Sequence, residues 1–237
     1  MVGGIAALSL AVATALSAQD IVWPTPARAP VPFGAGERAE YQVKFGFLSV
    51  GDASMEVIGN DTVRGHEAWH TLLRLHGGIP GYRVNDRLES WMHTGSLASL
   101  RHWQELSEGS RDVQRRYEIF PGESYVYNEQ EPQPTVNIPR DDGSFLYFVR
   151  TVPLEVGQEY TFDRYFRPDR NPVRIQVLRR ERAQVPAGTF ETVVVRPIIK
   201  ARGVFSEDGR AEVWLTDDEN RIMVQMKTRL AFGSINL

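Results

Sequence analysis

From Tyr41 to Leu237, apolar and polar residues mostly alternate one for one. That rhythm marks half-buried antiparallel strands, because successive side chains leave on opposite faces. Tyr41, Val43, Phe45 and Phe47 open one face, against Gln42, Lys44 and Gly46. Ala53, Met55 and Val57 continue it, with turns expected at Ser49–Asp52 and Gly59–Asp61. Glu67–Leu75 predicts a third strand, and Gly77–Gly78 with Pro80–Gly81 a loop. In the next strand Tyr82, Val84, Leu88 and Met92 share a face that Asp86 and Ser90 interrupt. Ser99–Ser107 and Val113–Phe120 pair around Glu108-Gly109-Ser110, and Ser124–Asn128 is short.

Only Gly143–Thr151 changes to helical spacing, with Phe145, Leu146, Phe148 and Val149 on one face. Asp141 or Asp142 supplies the N-cap and Pro153 the stop. Strands then return at Gln158–Phe166, Val173–Val177, Thr192–Ala201, Ala211–Leu215 and Ile222–Phe232. Their turns fall at Asp169–Pro172, Val185–Phe190, Glu207–Gly209 and Asp217–Asn220. The pattern predicts a mainly β protein: a large curved antiparallel sheet, as an open barrel or two stacked sheets, with one short helix near 143–151. A long sheet must curl to bury its apolar face, and one helix can plug the open end.

The N-terminus departs from this pattern. Ile5–Ala18 is an uncharged, alanine-rich apolar run that ends in small residues. It is too short to span a bilayer and reads as a signal peptide over residues 1–18, although no Lys or Arg precedes it. Residues 19–36 carry Pro24, Pro26, Pro30 and Pro32 and read as an extended arm. Residues 37–237 read as a single antiparallel β domain. The chain has no cysteine, which excludes disulfides, thiolate zinc sites and a cysteine nucleophile. The expectation is a protein exported to the periplasm or surface of a bacterium, with no transmembrane span in the mature chain. A net charge of −3 gives no reason to expect nucleic acid as a partner.

Four segments in order resemble a family of exported bacterial proteins, the domain of unknown function 3108. They are Tyr41–Gly51, Phe145–Leu154 with Gly157, Val185–Phe190, and Val213–Asp218. The resemblance runs from about residue 37 to the C-terminus. It implies an envelope protein of mainly antiparallel β structure and carries over no catalytic residues.

Candidate chemistry is sparse. His66, His70 and His76 share a strand face, but neighbours four apart on a strand lie roughly 13 Å apart. That is too far for one metal ion with bonds near ~2 Å. Asp217–Asn220 reads as a turn rather than a calcium loop. Ser144 and Ser206 lack the setting of a nucleophile elbow. No phosphate loop is present, and no metal or cofactor is expected. Phe45, Phe47, Tyr82, Trp103, Tyr147, Phe148, Trp214 and Phe232 are the candidate lining of a concave apolar groove; the alternative is that they fill an ordinary core. The working function is a non-enzymatic envelope protein binding a lipid or other amphipathic small molecule. The alternatives are an envelope enzyme acting on polysaccharide or lipid, and a structural partner of another envelope protein.

Overall fold

The structure is a computed structural model that describes residues 31–200, 211–230 and 233–236. The expected signal segment, Glu207–Gly209 and Phe232 lie outside them. The first half is an up-and-down run of eight strands. These are β1 (Arg38–Phe45), β2 (Leu48–Val63), β3 (His66–Ile79), β4 (Tyr82–His93), β5 (Ser99–Glu108), β6 (Arg111–Phe120), β7 (Ser124–Tyr127) and β8 (Gln133–Pro134). One helix, α1 (Ser144–Val149), follows. The second half holds β9 (Glu159–Phe162), a 3-10 turn at Pro168–Arg170, β10 (Val173–Val185) and β11 (Gly188–Ile198). It ends with β12 (Glu212–Thr216), β13 (Met223–Leu230) and β14 (Gly233–Asn236).

The fourteen strands among the described residues form one antiparallel sheet in the order β8-β7-β6-β5-β4-β3-β2-β1-β14-β13-β12-β11-β10-β9. The sheet curls but does not close by strand pairing, because β8 and β9 are its two edges. The edges are stitched by irregular chain instead. Arg140 N–H donates to Arg164 O at 2.5 Å, and Phe166 N–H donates to Arg140 O at 2.9 Å. Thr135 Oγ1 donates to Phe166 O at 2.5 Å. Arg140 anchors this seam. Its guanidinium is buried, donates to Leu97 O at 2.6 Å and Ser96 O at 3.1 Å, and lies 4.7 Å from the Phe148 ring centre.

The interior is filled. All six residues of α1 are buried. Phe145 to Val149 pack with Met55, Val57, Met92 and Ile119 from one half of the barrel and Val173, Ile175, Val193, Val213 and Leu215 from the other. A helix apolar on every side is a plug, not a surface helix. Phe33 joins this core, with its ring 5.1 Å from that of Tyr147, so the packed structure begins ahead of Glu37. Two smaller clusters cover the outer face: Val63, Ala68, Trp91 and Leu100 with Trp103, and Ala183, Val194 and Trp214 with Leu178 and Val224.

Three turns expected from sequence lie within strands. Ser49–Asp52 and Gly59–Asp61 both belong to β2, and Gly77–Gly78 belongs to β3. The glycines serve other ends. Gly59 follows a β-bulge after Val57. A Cβ on Gly77 would lie 2.3 Å from Val50 O, so Gly51 and Gly77 permit two backbones to approach where side chains cannot fit. The real turns are Gly46–Phe47, Arg64–Gly65 and Pro80–Gly81. A second bulge, opposite Trp214/Leu215, shifts the phase of β13, so that Met223 and Met226 both face inward.

Candidate functional site

Cross-strand register fixes which side chains share the concave face, since directly opposed residues point the same way. Thr71, Ser90, His102, Tyr117 and Tyr127 form one rung across β3 to β7. Leu73, Leu88, Gln104 and Arg115 form the next rung toward the β1–β2 turn. Leu75, Asp86, Leu106 and Val113 form the one after. The polar residues that interrupt the apolar alternation therefore meet inside the barrel.

The hydrogen bonds of Ser90, His102 and Gln104 make one network. Ser90 Oγ donates to Asp141 Oδ1 at 2.6 Å. The same oxygen accepts the backbone N–H of Gly143 at 2.9 Å and of Ser144 at 2.8 Å. Asp141 thus satisfies the free amides at the start of α1, the role expected of it, although it stands ahead of the formal cap position. Gly143 lies so close to Ser90 that a Cβ there would fall 2.4 Å from Oγ. His102 is fully buried. Its Nδ1 lies 2.8 Å from Glu89 O, which can only accept, so Nδ1 carries the proton. Nε2 then accepts from Gln104 Nε2 at 2.8 Å. Gln104 gives its other amide hydrogen to Asp142 Oδ2 at 2.9 Å and accepts from Arg115 at 3.0 Å.

Ser90, His102 and Asp141 superficially suggest a hydrolytic triad. The geometry is not that of one. Ser90 is 3.1 Å from the protonated Nδ1, its own hydrogen goes to Asp141, and all three side chains are sealed from solvent. The group positions the helix.

The network ends at an open cleft. A cavity of about 900 Å³ lies where β6, β7 and the loop after it face the Tyr165–Arg170 segment, at the seam of the barrel. Its walls are aromatic and polar: Tyr117, Tyr125, Tyr127, Tyr165 and Phe166 with Arg115, Arg167 and Arg170. Tyr117 stacks on Tyr127 with ring centres 5.1 Å apart, and Phe166 meets Tyr117 edge-on at 5.0 Å. The Tyr165 segment is pinned by Asn171, which accepts from Tyr165 N at 2.8 Å and donates to Tyr165 O at 3.0 Å.

The cleft sets Arg115, Arg167 and Arg170 against Asp142, Glu129 and Glu131. Arg115 spends a donor on the neutral Gln104, and Arg170 on the hydroxyl of Tyr165 at 3.2 Å. Arg167 Nε is buried without a hydrogen-bond acceptor and is ion-paired with Asp169 at 3.7 Å. Of the acids, Asp142 already accepts from Gln104 and from Tyr165 at 2.7 Å, while Glu129 and Glu131 stand on the exposed rim. Burial, then the neighbouring Asp142 carboxylate, pushes the Tyr165 phenol well above its ordinary range. Burial also raises Tyr117. Both phenols therefore stay neutral donors at physiological pH.

Of the eight aromatic residues singled out from sequence, the seven that the structure describes do not come together. Tyr147 and Phe148 are buried on α1 in the inner core. Trp103 and Trp214 belong to the outer clusters. Trp103 stacks with Arg116 at 4.2 Å, and Trp214 Nε1 donates to Glu181 at 2.6 Å. Phe45 is half-buried, and Phe47 and Tyr82 are exposed on hairpin turns. The cause is the alternation itself, which carries no label for inside. Of the tyrosines that do line the cleft, Tyr117, Tyr125 and Tyr127 lie on the paired strands β6 and β7, and Tyr165 joins them only across the seam. The signal available in the sequence was the interruption at Ser90; on the next strand His102 stands opposite it and Gln104 opposite Leu88.

Fold and site together define a plugged, open antiparallel barrel with a tyrosine- and arginine-lined cleft at its seam. The chain belongs to the DUF3108 family, described as a protein of unknown function, which it matches over residues 40–237. Among solved structures it is similar to a β-barrel-like protein of domain of unknown function DUF1849 from Brucella abortus. That likeness has a TM-score of 0.54 at 10% identity and covers 84% of this chain and 93% of that one. It establishes a shared fold. No curated protein matches the chain.

Proposed function

We propose that this protein is a non-enzymatic, exported binding protein that holds an amphipathic ligand with an anionic head. The head occupies the cleft, where Arg115, Arg167 and Arg170 face it and Tyr125 and Tyr127 offer flat faces. The chain lies on the adjacent concave wall. There Leu73, Leu75, Leu88, Leu106 and Val113 are only half-buried and run from the cleft toward the hairpin turns. The observation that carries this reading is a cleft of about 900 Å³ whose wall brings Arg115, Arg167 and Arg170 together with Tyr125 and Tyr127. Sites of that size with an apolar wall and a few convergent polar groups are the usual form of a ligand pocket. Export is supported by the Ile5–Ala18 composition and the lack of cysteine.

Native mass spectrometry of protein purified from its cellular source tests this. The expected result is an adduct at one-to-one stoichiometry, released on denaturation and identified as an anionic amphiphile. Release of a neutral saccharide, or no adduct even after exposure to lipid extract, would overturn it.

A further inference from the structure

We infer that the end of the barrel carrying the β1–β2 and β3–β4 turns is a docking surface for anionic lipid membranes. This inference does not depend on what occupies the cleft. Six large apolar side chains are exposed among the described residues, and four of them stand on these two turns. Phe47 is 92% exposed and Leu48 53%; Ile79 is 43% exposed and Tyr82 47%.

The register places the two turns side by side and in front. Gly51, Gly77, Val84 and Glu108 form a rung through β2 to β5. The Gly46–Phe47 and Pro80–Gly81 turns project three to five residues beyond that rung, roughly 10 Å or more of extended chain. The Gly109–Ser110 turn lies only one or two residues beyond it and is set back.

Charge selects the partner. The leading turns, residues 44–48 and 79–83, hold Lys44 and Arg83 and no acid. Neither cation is in an ion pair among the described residues. Apolar tips with cations at their base match a bilayer boundary: apolar groups enter the acyl region, Tyr82 sits at headgroup depth, and cations meet anionic headgroups. A protein interface of ordinary size needs ~800 Å² from each side, presented as a packed patch. Four side chains on two projecting turns do not provide that. The tips also open onto the concave leucine wall, so a docked barrel presents its inner face to the lipid it stands on.

The test is cosedimentation with vesicles of phosphatidylcholine containing phosphatidylglycerol. The wild-type chain should bind, and binding should weaken as salt rises. Phe47→Ser combined with Ile79→Ser should reduce the partition about tenfold. Ile58→Ser, an exposed apolar residue of β2 near the opposite end of the barrel, should leave it unchanged. Because Phe47 and Ile79 are exposed, thermal melts of the double variant should match the wild type. Absence of wild-type binding, or equal binding by the double variant, would overturn the inference. So would concentration-dependent dimerisation abolished by the double variant, because the tips would then serve a second copy of the chain.

Discussion

Ser90 on β4 donates a hydrogen bond of 2.6 Å to Asp141, fifty-one residues later, and that bond joins the sheet to the start of the plug. Asp141 Oδ1 accepts from Ser90 and from two backbone amides at once. Asp141→Ala removes the acceptor of all three donors inside a sealed interior. The expected loss is about 3 kcal/mol or more in urea melts, since each stranded donor costs ~1–3 kcal/mol. Asp141→Asn retains Oδ1 and should cost less. Equal midpoints for Asp141→Ala and the wild type would show that this bond does not hold the plug.

Gly143→Ala probes the same junction by volume. Its Cβ would fall 2.4 Å from Ser90 Oγ, and α1 must shift to relieve the clash. The expected cost is about 1–3 kcal/mol. Ser90→Ala in the same chain should recover part of it, a double-mutant coupling that urea melts can read.

Arg150 stands just past the end of α1. A residue at the end of a short helix should interact only with the helix dipole, at ~0.3–1 kcal/mol. In the fold it is buried, makes a two-pronged ion pair with Glu37 and donates to the carbonyls of Asn220 and Pro32. Its guanidinium lies 5.5 Å from the Phe33 ring centre. Removing one partner of a buried pair costs about 3–5 kcal/mol. Arg150→Ala should therefore destabilise as strongly as Phe148→Asp, by denaturant midpoint, rather than mildly.

Asp86 gives the fold a dependence on pH. Burial, then the nearby Glu108 charge, raises its carboxyl from 3.8 to about 6. A raised native pKa means that the folded chain holds the proton more tightly than the unfolded one. The stabilisation is complete below pH 3.8 and is lost as pH rises through about 6. Asp86→Asn keeps an acceptor for Ser107 N–H, which now donates to Asp86 at 3.1 Å. The variant should match the wild type at pH 3.5 and exceed it by about 1–3 kcal/mol at pH 7. A constant difference across that range would contradict the assignment.

Strand class, helix position and curled shape were legible because they rest on local periodicity. Phe145, Leu146, Phe148 and Val149 announced a buried helix, and Glu108-Gly109-Ser110 marked a true turn. Gly51 and Gly77 misled, because glycine serves close backbone approach as readily as a turn. Arg150 misled because its partner Glu37 lies 113 residues away. The cleft was illegible for the same reason: Tyr125 and Phe166 meet only when the two ends of the sheet come together. Asp86 and Ser90 did break the pattern; Ser90 leads into the polar network behind the cleft, whereas Asp86 stands apart from it beside Glu108.

The cleft is the centre of the functional reading, and one titration tests it most directly. Lipid-free protein is titrated calorimetrically with lysophosphatidylglycerol below its micelle concentration, at moderate salt. The wild type should bind one molecule per chain. Arg115→Gln and Arg170→Gln, each half-exposed and free of ion pairs among the described residues, should each weaken binding about tenfold without lowering the melting temperature. No binding by the wild type, or affinity unchanged in both variants, would contradict a ligand head held in this cleft.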